Sequence, residues 1–162
     1  MADWQARKHL GDHHELRVIE ELQQHGWTVH PCGQGTYPTP IQRALSACDS
    51  ALRQFPDMIA ARGSAVVTID AKTRMRPHTG RYAISRACIQ AGLQFAGANA
   101  PIPLYYVLGD ACSDLAVLTP AEVSAYTMAG HLHPSGAYYL IDARHARPFK
   151  AVFGATPQSM TA

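Results

Sequence analysis

Lysine is scarce in this 162-residue chain: Lys8, Lys72 and Lys150 are the only three. Long hydrophobic runs are missing as well. None approaches the roughly 18 apolar residues of a membrane span. The N-terminal stretch M-A-D-W-Q-A-R-K-H has no apolar core such as a secretion signal carries. No membrane partner and a cytoplasmic location are therefore expected. An excess of one charge is also lacking, with 14 Lys+Arg against 12 Asp+Glu and a net charge of +2. That balance excludes neither nucleic acid nor a neutral partner, because a basic patch can sit on a nearly neutral protein. Cys32, Cys48, Cys88 and Cys112 form no C-x-x-C pair and read as free thiols, not a disulfide frame or a zinc knuckle. There is no internal repeat. What is present, 47% hydrophobic and 16% charged residues, predicts one globular domain over 1–154 and a frayed tail over 155–162.

The most informative stretch runs from Phe55 to Arg74, F-P-D-M-I-A-A-R-G-S-A-V-V-T-I-D-A-K-T-R. Two apolar runs flank Arg62-Gly63-Ser64, which predicts a β-hairpin with Gly63-Ser64 in a type II′ turn. Counting outward, Arg62 faces Ala65, Ala60 faces Val67, and Asp57 falls opposite Asp70. Two carboxylates on one face then stand with Cβ atoms roughly 4.5 to 5.5 Å apart. Like charges so placed repel unless a cation lies between them, and hard ions such as Mg²⁺ prefer carboxylate oxygen. Lys72 projects from the same face, because strand side chains repeat with period two. Apart from Thr68 the hairpin is otherwise apolar on both faces, so these charges need partners. An acidic pair with a lysine suits metal-assisted phosphodiester hydrolysis. Asp57 and Asp70 would bind the metal with the carbonyl of Ala71, and Lys72 would orient the attacking water.

Pro56-Asp57, a short hairpin, then Asp70-Ala71-Lys72 resembles the PD-(D/E)xK nuclease superfamily, and the order of flanking elements resembles its archaeal Holliday-junction resolvases. The resemblance spans about Gly11 to Leu118. It implies an α/β fold with a restriction-endonuclease-like core of helix, three-stranded meander, helix and strand, whose mixed central sheet is flanked by helices. It further implies DNA as partner, Mg²⁺ (with Mn²⁺ able to substitute), 5′-phosphate products and a branched or otherwise structured substrate. An acidic residue on the first helix points at the metal in that superfamily, and Glu15 matches it.

Elsewhere, a helix is expected from about Asp3 or Gly11 to His25, closed by Gly26. Val18, Ile19 and Leu22 lie near Glu15 around that helix and place Glu15 on its buried face. Trp27 to His30 reads as a strand halted by Pro31, and Gly33-Gln34-Gly35-Thr36 as a flexible loop close to where the resolvases that the chain resembles carry one, which implies a DNA contact by Gln34 or Thr36. From Pro40 to Phe55 an amphipathic helix is expected to dock on the sheet. Arg74, Arg76, Arg81 and Arg86 follow Lys72 with no acid among them and suit phosphate contacts. A helix from about Tyr82 to Gly97 would carry two apolar stripes, the second (Ile89, Leu93, Ala96) needing cover from the C-terminal part or from a second copy in a homodimer. Strands are expected over Ile102–Leu108, Asp114–Leu118 and Gly136–Ile141, with a capping box at Thr119, Pro120 and Glu122. His9 with His13, and His131 with His133, have metal-ligand spacing but no third ligand nearby. The rival readings are a noncatalytic nucleic-acid-binding or assembly module on the same fold, and a zinc-binding structural protein.

Overall fold

The computed structural model describes residues 2–48, 55–73, 81–110, 113–126, 128–129 and 137–154. Helix α1 (Ala2–Gln24) ends at Gly26, whose φ of 79° is the left-handed cap expected there. Strands β1 (Thr28–Pro31), β2 (Met58–Arg62) and β3 (Ala65–Thr73) form an antiparallel meander. Gly63 supplies the positive φ, 60°, that the first central position of the β2–β3 turn requires. The hairpin register is the expected one, with Arg62 opposite Ala65, Ala60 opposite Val67 and Met58 opposite Ile69. Asp57 therefore precedes β2 directly across from Asp70.

Next come β4 (Arg81–Ser85) and α3 (Arg86–Ala98), with α2 (Thr39–Ala47) having already bridged β1 and β2. Strand β5 (Leu104–Gly109) returns parallel to β3, Asp70 lying opposite Tyr106. Then follow β6 (Ala116–Leu118), α4 (Pro120–Ser124), β7 (Met128–Ala129), β8 (Tyr138–Asp142), β9 (Arg147–Pro148) and α5 (Phe149–Phe153). The main sheet has the order β1-β2-β3-β5-β6-β9, and a small sheet the order β4-β8-β7. Alternation along each strand separates two cores. Val67, Ile69, Val107 and Val117 pack under α1 and α5 with Val18, Leu22, Phe149 and Phe153. Tyr106, Leu108, Ala116 and Leu118 face the other way, onto Ile89 of α3, Val123 of α4 and the small sheet. Asp70 shares this second face, since Ile69 and Ala71 belong to the first. The expected Thr119–Glu122 capping box is present in full.

Several expectations are corrected. Tyr82–Ser85 is strand, not the start of a helix. Tyr82 and Ile84 are buried in alternation and pair with Ile141 and Tyr139, and Ser85 then caps α3 by accepting from the Cys88 N–H. Helix α2 does not dock as expected: it has no buried residue and leaves Ile41 exposed. Pro31 ends β1 as part of the strand, which an edge position tolerates. Residues 34–36 form a single 3-10 turn in place of a flexible loop. The second stripe of α3 is covered by the C-terminal part of the chain at Ile89, while Leu93 stays exposed. The expectations for Ala51, Leu52, Arg74, Arg76, Cys112, His131, His133 and the tail 155–162 lie outside the described residues, as do the side chain of His9 and the start of the strand expected from Gly136. Among the described residues no helix is long and apolar enough to cross a membrane.

Candidate metal and phosphodiester site

Local structure delivers Asp57 to its place. The Asp57 carbonyl accepts the N–H groups of Cys32 and Gly33, at 2.8 and 3.0 Å, which ties the Pro56-Asp57 step to the chain leaving β1. A Cβ at Gly33 would stand 3.2 Å from the Asp57 Cα, a tight contact that glycine avoids. One Asp57 carboxyl oxygen accepts the Ala71 N–H at 2.8 Å. Because the N–H and C=O of a strand residue leave on the same side, the Ala71 carbonyl also faces this edge.

Asp70 is 9% exposed and meets the Lys72 Nζ at 2.6 Å. Burial, then the neighbouring Asp70, pushes the Asp57 carboxyl up to about 9. For Lys72, burial alone would lower the pKa, but Asp70, Cys88 and Asp57 outweigh it and raise it. Lys72 therefore stands as an ammonium, 5.8 Å from the centre of the Tyr106 ring. Glu15 reaches toward the same charges from α1 on the other face of the sheet. Its pKa is raised by burial, then by Asp12 and Asp70.

The oxygen-only donor set of Asp57, Asp70 and the Ala71 carbonyl fits a hard divalent cation, because a cation offsets the cost of two buried carboxylates. Among the described residues no three His, Cys, Asp or Glu side chains converge closely enough to hold a metal by themselves, so Glu15 stands outside the tight Asp57/Asp70 pair. Arg86 opens α3 two residues before Cys88, and both Arg81 and Arg86 are exposed. Gln34 is half-buried beside Gly33. Arg144 and Arg147 are taken up by ion pairs to Asp142 and Glu122.

Sequence reasoning missed three neighbours. The Cys88 Sγ lies 3.9 Å from an Asp70 oxygen, and burial raises its pKa. The Tyr106 hydroxyl donates to the Cys88 carbonyl at 3.2 Å. His14, 4% exposed, has its Nε2 3.0 Å from the Val107 carbonyl, while its Nδ1 has no hydrogen-bond partner among the described residues. Only the i, i+4 spacing of His14 with Val18 and Leu22 signals that last burial, and the pairing of β3 with β5 that brings in Tyr106 carries no local signal.

No protein-family profile matches the chain, and no curated protein matches it in sequence. In structure it is similar to Archaeoglobus fulgidus Hjc, a Holliday junction resolvase from an archaeal hyperthermophile. The identity is 14% and the TM-score 0.59, and the match covers 89% of this chain and 100% of that one. The chain thus has a resolvase-like nuclease fold, the restriction-endonuclease-like α/β core with a mixed central sheet flanked by helices.

Proposed function

We propose that this protein is a metal-dependent DNA endonuclease that hydrolyses phosphodiester bonds. One observation carries the reading: on a sheet face whose hairpin residues are otherwise apolar apart from Thr68, Asp57 stands one step beyond the Met58–Ile69 pair, across from Asp70, and Lys72 Nζ lies 2.6 Å from Asp70. Asp57, Asp70 and the Ala71 carbonyl would hold Mg²⁺, or Mn²⁺ in its place, with Glu15 acting through water or directly. When bound, the cation supplies Lewis-acid polarisation of the phosphate and a more acidic water. Lys72, kept charged by Asp70, donates hydrogen bonds that orient the attacking water and offset developing negative charge, and does not serve as a base.

Arg74, Arg76, Arg81 and Arg86 contact phosphates and give affinity without sequence information, and Gln34 touches the strand beside Asp57. The structural similarity to a Holliday junction resolvase supports a branched or otherwise structured substrate, and 5′-phosphate products are what the resemblance of Pro56-Asp57 and Asp70-Ala71-Lys72 to the PD-(D/E)xK motif implies. A homodimer now rests on the exposed Leu93 alone. A single monomeric mass in light scattering would dismiss it.

The test is cleavage of a labelled panel of four-way junction, flap, duplex and single strand, with and without Mg²⁺, by wild type and Asp70→Ala. Metal-dependent cleavage that Asp70→Ala abolishes is the expected result. Binding of the same DNA without cleavage of any substrate would replace the enzyme with a noncatalytic binding module.

A further inference from the structure

A cavity of about 700 Å³ opens beside the acidic pair, on the same face of the sheet. Its floor is Ile59 and Thr68, which oppose each other in the β2–β3 register. They are the next pair along from Asp57 and Asp70, roughly 6 to 7 Å away. Its walls are Phe55 and Phe95, whose rings meet edge to face at 5.4 Å. Phe55 belongs to the same short segment as Asp57, so the aromatic wall and the metal-binding carboxylate are placed together. Gln94 and Asn99, at the C-terminal end of α3, add amide groups at the rim.

Among the described residues the lining carries no charged side chain, so these residues offer nothing to pair with a phosphate, a carboxylate or a metal. The aromatic rings of Tyr37, Phe55 and Phe95 with two amides suit instead a neutral, planar, heteroaromatic group. In a nucleic acid that group is the base, and it can enter only where it is unpaired and unstacked.

Resting on the endonuclease reading, the geometry points to this cavity as the pocket for an unpaired nucleobase next to the phosphate held at Asp57 and Asp70. The site thereby selects DNA with a base free to leave the stack, such as a bulge or the edge of a junction. Gln94 and Asn99 contact the edge of that base, and one of the two mutually perpendicular rings, Phe55 or Phe95, stacks on its face while the other meets its edge.

The experiment measures affinity in EDTA, where no cleavage occurs. Fluorescence anisotropy compares a labelled duplex bearing a one-nucleotide adenine bulge with the same duplex bearing an abasic residue at the bulge. The two differ only in the base. Wild type should bind the adenine bulge about tenfold more tightly, the scale of a lost base–aromatic stack. In Ala98→Trp, which puts an indole into the cavity from an exposed position on α3, that ratio should fall to about one. A wild-type ratio near one with DNA still bound overturns the pocket and leaves the endonuclease reading standing. A tenfold ratio that survives Ala98→Trp shows the base is held elsewhere and likewise overturns it. Failure to bind either DNA overturns both readings.

Discussion

Asp57 keeps its proton in the fold because burial and the adjacent Asp70 both oppose its charge. The unfolded chain releases that proton near the ordinary aspartate value of 3.8. From there up to about 9 the folded state holds one proton more, and stability falls as pH rises. Asp57→Asn keeps the shape and removes the titration. In metal-free buffer this variant should melt higher than wild type on the alkaline side of neutrality, with a gap that widens as pH rises and closes toward acid. Each kcal/mol gained is worth about 2–4 °C in a chain of this size. Mg²⁺ should raise the wild-type midpoint and do less for the variant, since a ligand stabilises only the state that binds it. Equal midpoints at every pH would show that Asp57 is already ionised in the fold.

Among the elements, α3 decides how the lysine side of the site is closed. A Cβ added at Gly92 would stand 2.1 Å from the Tyr106 hydroxyl oxygen and 3.1 Å from Pro120, so α3 can lie on β5 only with glycine there. Gly92→Ala should cost about 1–3 kcal/mol as overpacking, read as a lower denaturant midpoint. Gly97→Ala, where a Cβ meets nothing within 4 Å, should be neutral or stabilising by up to about 1 kcal/mol. Equal losses in the two variants would contradict the packing. The hairpin was legible in the sequence because one turn sets a period-two register, and so was α1, through its Gly26 cap. The boundary between β4 and α3 was not. Ile84, Ala87, Cys88, Ala91 and Phe95 share one face of a helix, so Ile84 fits a helix as well as a strand that precedes one, and the partner that settles the matter, Tyr138–Asp142, lies more than 50 residues on. Helix α2 has an amphipathic pattern and still buries nothing, so pattern alone did not say what covers its apolar face.

For the molecule as a whole, the sheet joins groups from both of its faces at one end of β3. Helix α1 brings Glu15 from one side. Helix α3 brings Cys88 from the other, with Tyr106 beneath Lys72. The placement of Asp57, Asp70 and Lys72 together was readable from the hairpin register, while helix periodicity set Glu15 on the sheet side of α1, where it is half-buried and stands outside the tight Asp57/Asp70 pair. Tyr106 and Cys88 could not be read in this way, because the parallel pairing of β3 with β5 carries Tyr106 to the site and the packing of α3 over that face brings Cys88 to Asp70. The central claim is that Lys72 serves chemistry and is not merely a salt-bridge partner of Asp70. The most direct measurement is the single-turnover rate of DNA cleavage in saturating Mg²⁺ for wild type and Lys72→Ala, on whichever substrate wild type cuts fastest. The rate should fall by about 10²–10³-fold, the usual loss when one preorganised hydrogen-bond donor is removed, while DNA affinity changes little. An unchanged rate in a folded, DNA-binding Lys72→Ala would contradict the account.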